Sequence, residues 1–143
     1  MKLVIEGAPR TAKNNQRIVT NPRTGKPFII ASKSKGAWAT LLVDGIKREL
    51  VRIGDEAVDR GAVHYLPALP ISQPIQVKAL FYRDRNIGDL DNYAHAVGDA
   101  LQKAGVILND KQIESWDKSR KLIDRVRPRV EITIEPFDDK ERP

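Results

Sequence analysis

The chain contains no cysteine, which removes disulfides, thiolate metal ligands and a thiol nucleophile together and gives an oxidising compartment no support. It has two histidines, His64 and His95, and at that spacing the pair makes no zinc site. Long apolar runs are missing as well. Leu3 to Ile5 is followed at once by Glu6 and Gly7, too short for a signal-peptide core, and no stretch approaches membrane-spanning length. The expectation is a soluble, cytoplasmic protein without a membrane partner. No P-loop, dinucleotide fingerprint or serine-centred nucleophile motif occurs. The length of 143 residues suits one compact domain with one active site.

What the chain does have is positive charge, a formal net +6. Between Arg10 and Lys35 it carries Arg10, Lys13, Arg17, Arg23, Lys26, Lys33 and Lys35 with no acid. A second basic stretch runs from Lys118 through Arg120 to Arg129. Lysine and arginine release counterions from phosphates and so supply affinity for a polyanion independent of its sequence. The same charge also fits a solvated face with flexible loops.

Apolar spacing organises the rest. Leu3 to Ile5 before Gly7-Ala8-Pro9 reads as a first strand, and Pro27 to Ala31 as a second after the turn residues Asn21 to Gly25. Trp38, Leu41, Leu42, Ile46, Leu50 and Ile53 recur at three- and four-residue steps, so a helix from Ser34 is expected to end at Gly54. Pro67, Pro70 and Pro74 make the segment from Gly61 a loop. Ile75 to Tyr82 alternates as a half-buried strand and leads into a polar turn from Arg83 to Gly88. Leu90, Ala94, Val97, Leu101 and Ala104 form a second helical stripe, closed by Gly105. Val106 to Leu108 then returns extended, Gln112 to Lys118 reads as a strand, and Val130 to Glu135 as a last one, with a frayed tail after Pro136. The order implies one α+β domain with two main helices against a small mixed or antiparallel sheet.

The chemistry concentrates in Gly88-Asp89-Leu90-Asp91-Asn92, between a strand and a helix, and in Asn109-Asp110 after that helix. Magnesium prefers oxygen ligands and keeps several waters, so two or three carboxylates suffice to hold it against a phosphate. From Asp91 to Ala104 the helix advances about 20 Å, and Gly105 to Asp110 can return about 17 Å in extended form. Asp110 can therefore come back beside the helix start. Against this, Asp89 is also a good helix N-cap, Asp91 suits the first turn electrostatically, and Asp110 could belong to a turn. An acidic pair inside a basic chain favours the metal, because carboxylates repel DNA unless a cation stands between. His95 and Asp99 follow Asp91 along one ridge of the helix. His95 can contact a phosphate, orient a water or shuttle a proton, or simply bond to helical neighbours. Asp99 reads as structural, bridging to Lys103 or to a basic residue elsewhere, and His64 as surface.

Taken together, Asp89-Leu90-Asp91-Asn92, Asp99-Ala100-Leu101, Lys103-Ala104-Gly105 and Asn109-Asp110-Lys111-Gln112 resemble the long motif of the RusA family of Holliday junction resolvases, common in prophages. The likeness is close over residues 83 to 118. It is looser at Gly7-Ala8-Pro9 with Lys13-Asn14-Asn15 and at Ala31-Ser32. The resemblance implies a dimeric, Mg²⁺-dependent endodeoxyribonuclease, with Mn²⁺ able to substitute, that nicks two opposing strands of a four-way junction in recombination and repair. It maps the metal ligands onto Asp89, Asp91 and Asp110, and adds Asn14, Asn15 and Lys111 to the candidate DNA contacts Arg10, Lys13, Arg17, Arg23, Lys26, Lys33, Lys118 and Arg120. The family places a functional lysine four residues after the second motif aspartate, where this chain has His95. Either the imidazole takes over, or Lys103 or Lys111 supplies the charge, or activity is reduced. Two other functions remain open on the sequence: a metal-dependent nuclease on other branched DNA or RNA, and a catalytically silent junction-binding protein.

Overall fold

The computed structural model describes residues 1–10, 16–31 and 33–138. The centre of the fold is strand β4 (Ile75–Arg83). Its alternation puts Ile75, Val77, Ala79 and Phe81 in the core and continues one step further than the hydrophobic pattern, burying Arg83 as well. Along one edge β4 pairs antiparallel with β7 (Arg129–Pro136), which in turn pairs antiparallel with β1 (Lys2–Glu6). Along the other edge two short strands share β4 end to end. These are β5 (Ile113–Ser115) near its start and β6 (Arg120–Ile123) near its finish, both parallel to it. Between them the Ala79 amide donates to the Ser119 hydroxyl at 3.0 Å, so a side chain keeps the ladder satisfied across the gap. A separate antiparallel ribbon joins β2 (Gln16–Thr20) to β3 (Pro27–Ala31).

Two helices cover one face of the sheet. α1 (Lys33–Asp59) buries Trp38, Leu42 and Ile46; α2 (Leu90–Lys103) buries Tyr93, Val97, Ala100 and Leu101. The α+β class with a mixed sheet is as expected. α1 does not stop at Gly54, however. Ala57 extends the buried stripe by another turn, and helix end signals appear only at Gly61, with φ of +66° and the Ala62 amide bonding back to the Ala57 carbonyl at 2.8 Å. One interior glycine costs a helix about 1 kcal/mol, a cost of the same order as burying the Ala57 methyl returns, so Gly54 alone does not end the helix.

Other expectations also shift. β2 and β6 are strands the sequence pattern does not announce, because neither alternates cleanly between apolar and polar residues. The strand expected from Gln112 to Lys118 is only β5: Gln112 closes a 3-10 turn that starts at Asp110, and Ser119 bonds back to Trp116 in a turn where Lys118 has φ of +66°. The expected frayed tail begins within the described residues, where the Phe137 amide still bonds to the Pro74 carbonyl; its last residues, 139–143, lie outside them.

Candidate active site

The acidic pair sits at the junction of β4 and α2, and the junction is built from the inside outward. Buried Arg83 donates to the Leu122 carbonyl, to Asn86 Oδ1 at 3.1 Å and to the Ile87 carbonyl at 3.0 Å. The Tyr93 hydroxyl donates to that same Ile87 carbonyl at 2.5 Å. Tyr93 itself stacks on Phe81 and meets the Trp38 edge, with ring centroids 5.1 and 5.7 Å away, so β4, α1 and α2 are tied together directly beneath the loop. Burial pushes the Tyr93 phenol up, which keeps it a neutral donor. Gly88 has φ of +90°, and a Cβ there would stand 2.1 Å from the Tyr93 hydroxyl. Only glycine lets the backbone pass this close to the ring.

Asp89 follows as the N-cap residue of α2 but makes no side-chain cap bond. The capping alternative is thereby set aside, and an exposed carboxylate stands one residue before the helix. Asp91, in the first turn, is exposed as well. Asp84, the other acid of the connection, is taken up by Arg10 through paired bonds of 2.9 and 3.1 Å, and the Arg10 hydrogen bonds hold its carboxyl below the usual range.

Asp110 does return beside α2. Its position is set by two glutamines to which the sequence reading gave no role. Gln112 Oε1 accepts from the Leu108 and Asn109 amides at 2.8 and 2.9 Å, while Nε2 donates to the carbonyls of Ile71 and Gln73. Gln102 Oε1 accepts from the Asp110 amide at 3.2 Å. The Asn109 side chain caps the turn by accepting from the Lys111 amide. A signal existed in Asn109-Asp110-Lys111-Gln112, since asparagine followed three residues later by glutamine has the form of a reciprocal cap.

The outcome is two adjoining recesses that share Asp91. One is lined by Asp91, His95, Gly98, Asp110, Ile113 and Trp116, the other by Asp89, Leu90, Asp91, Asn92 and Lys121. Among the described residues no three acidic or histidine side chains form a single metal-holding group; the carboxylates are arranged two by two around Asp91. That donor set fits a magnesium ion, which commonly takes one or two carboxylates and completes its shell with water and phosphate oxygens.

A family model described as Endodeoxyribonuclease RusA matches residues 7–135. The chain belongs to the RusA endodeoxyribonuclease family. No curated protein sequence matches it significantly. The chain is thus an endodeoxyribonuclease of the Holliday-junction type, in a family that acts on branched DNA junctions.

The other site candidates of the chain divide by position. His95 is exposed on α2 and lines both the Asp110 recess and a groove shared with Arg10, Trp38, Asn92, Asp99 and Lys103. Lys103 lies 3.7 Å from Asp99, the bridge expected from their spacing. Lys111 is exposed next to Asp110, and Arg23 and Lys26 are exposed at the turn of the β2–β3 ribbon, with Arg17 on β2 and Lys33 opening α1. Lys118 stands elsewhere, in a groove with Gln76, Lys78, Thr133 and Glu135. Arg120 pairs in register with Leu80, on the sheet face opposite Phe81 and the helices. His64 is exposed, as expected. Lys13, Asn14, Asn15 and Ser32 lie outside the described residues.

Proposed function

We propose that this enzyme draws its ligands for Mg²⁺, or Mn²⁺ in its place, from Asp89, Asp91 and Asp110, two at a time through Asp91, and resolves four-way junctions as a homodimer by paired symmetric nicks in DNA recombination and repair. The observation that carries the reading is the position of Asp91, which belongs at once to the recess of Asp110 and to that of Asp89. When bound, the ion would polarise the scissile phosphate and activate the attacking water. The chain's own part is to place the ligands. Arg83, Tyr93 and Gly88 fix the loop that presents Asp89 and Asp91, and Gln112 with Gln102 fixes Asp110. His95, on the wall of the Asp110 recess, is positioned to contact the phosphate or orient the water. Exposed Arg23, Lys26 and Lys111 add sequence-independent attraction for the arms of the junction. One such site per chain and two cuts per junction call for a two-fold dimer, working on DNA in the cytoplasm of a bacterial host.

The deciding experiment is Mg²⁺-dependent cleavage of an immobile four-way junction by wild type and Asp91→Asn, with flap, duplex and RNA controls. Wild type is expected to nick opposing strands of the junction, while Asp91→Asn binds it as tightly or more tightly but does not cut, having lost a ligand and a charge that repels phosphate. Cleavage by Asp91→Asn at the wild-type rate would overturn the ligand assignment. A wild type that binds the junction without cutting would make the protein a silent binder.

A further inference from the structure

Lys121 had no place among the sequence candidates, yet the fold brings it to the acidic pair. It lies on β6 in register with Phe81 of β4, and partners across a ladder point to the same sheet face. Phe81 faces the helices, so Lys121 projects on the side of α2 while its neighbour Arg120 projects on the other. Its ammonium donates to the Gly88 carbonyl at 3.4 Å, and it is the basic side chain of the recess formed with Asp89, Leu90, Asp91 and Asn92. Lysine has three N–H donors, so one long bond leaves capacity for a further acceptor. Three of the nearby cations are engaged, Arg10 with Asp84, Lys103 with Asp99, and Arg83 buried under the loop. A phosphate approaching two carboxylates is repelled at close range, and an ammonium in the same recess offsets that repulsion on the side away from Asp110.

We infer that Lys121 is a phosphate-contacting residue of the cleavage site, gripping a non-bridging oxygen of the DNA strand held at Asp89 and Asp91. The inference rests on the proposed role of those two aspartates.

The test uses the full chain on a four-way junction with Ca²⁺ replacing Mg²⁺, so that binding is read without cutting. In Lys121→Met the slope of log affinity against log salt should fall by about 0.9, one phosphate contact, and affinity at low salt should fall about tenfold. Lys121→Arg should retain the wild-type slope. Lys121→Gln keeps a donor for the Gly88 carbonyl without the charge and should match Lys121→Met; a wild-type slope in Lys121→Gln would mean that the side chain only steadies the loop, and would overturn the inference. A neutral methylphosphonate scanned across the cut site should weaken wild type at one position and leave Lys121→Met unaffected there. Equal weakening of both proteins at every position would also overturn it. Asp91→Asn separates the two readings: if it is inactive while Lys121→Met shows the wild-type slope, Lys121 alone is misassigned, whereas Mg²⁺-dependent cutting by Asp91→Asn removes the metal reading itself.

Discussion

At the scale of single residues, the site depends on groups that never touch DNA. Gly88 is the sharpest case, with a positive φ and a virtual Cβ only 2.1 Å from the Tyr93 hydroxyl. Gly88→Ala is expected to destabilise the fold by about 2 kcal/mol through combined clash and strain and to lower junction cleavage further than the lost folded fraction explains; a urea titration with a parallel rate measurement checks both. Gln112 is the second case, its amide serving two amides and two carbonyls. Gln112→Ala is expected to cost about 1–3 kcal/mol in unsatisfied backbone groups and to displace Asp110, so cleavage falls while Ca²⁺-supported binding persists. Equal losses of binding and cleavage would contradict a specific effect on Asp110. At His95, a cationic role at the phosphate predicts that His95→Lys retains activity and His95→Ala loses it. If the imidazole orients water instead, both variants fail, and unchanged rates in both would remove His95 from the site.

Among the elements, the helices illustrate how the same residue type carries different costs. Gly54 lies inside α1 with nothing within 4 Å of a virtual Cβ, whereas at Gly45 that atom would stand 2.6 Å from Ile5 Cγ2. Gly54→Ala should therefore stabilise the protein by about 0.5–1 kcal/mol, the helix-propensity difference, and Gly45→Ala should destabilise it by forcing α1 away from β1. Denaturant midpoints of the pair give opposite signs if the packing is as described. α2 is shorter and does more for function: its N-terminal turn presents Asp91, its ridge presents His95, and Gln102 near its end reaches Asp110. Strand β6 is decided by pairing, since Arg120 to Ile123 gains its β4 register from the adjoining ladder and thereby sends Lys121 to the acidic side.

On the scale of the whole molecule, ion pairs close the fold over large sequence separations. Asp84 lies below its ordinary range through the hydrogen bonds of Arg10, and Asp124 through the backbone amide of Arg127 and the Arg129 guanidinium. For Glu49 and Glu131 burial pushes the carboxyl up, but Arg52 with the Val4 amide, and Arg129 with Lys2, outweigh it and leave both lowered. A carboxylate lowered on folding adds stability above its unfolded pKa and loses it as pH falls through the folded value. Stability should accordingly be flat near neutrality and decline as pH drops below about 4, with Asp84→Asn reducing the size of that decline; urea midpoints from pH 7 to pH 3 test this. The sequence alone determined the α+β class, both helical stripes, β4, β7 and the acidic motif, because local periodicity and residue chemistry decide which face is apolar and which groups can bind a hard cation. It also carried the family, through the spacing from Asp89 to Gln112. Tertiary structure decided the rest: the end of α1 at Asp59, the edge strands β5 and β6, the burial of Arg83, the commitment of Arg10 to Asp84, and the arrival of Lys121 beside Asp89. Each of these depends on partners distant along the chain, on a cross-strand register or on a salt bridge spanning 74 residues, and periodicity within one segment carries no information about what the opposite strand will supply.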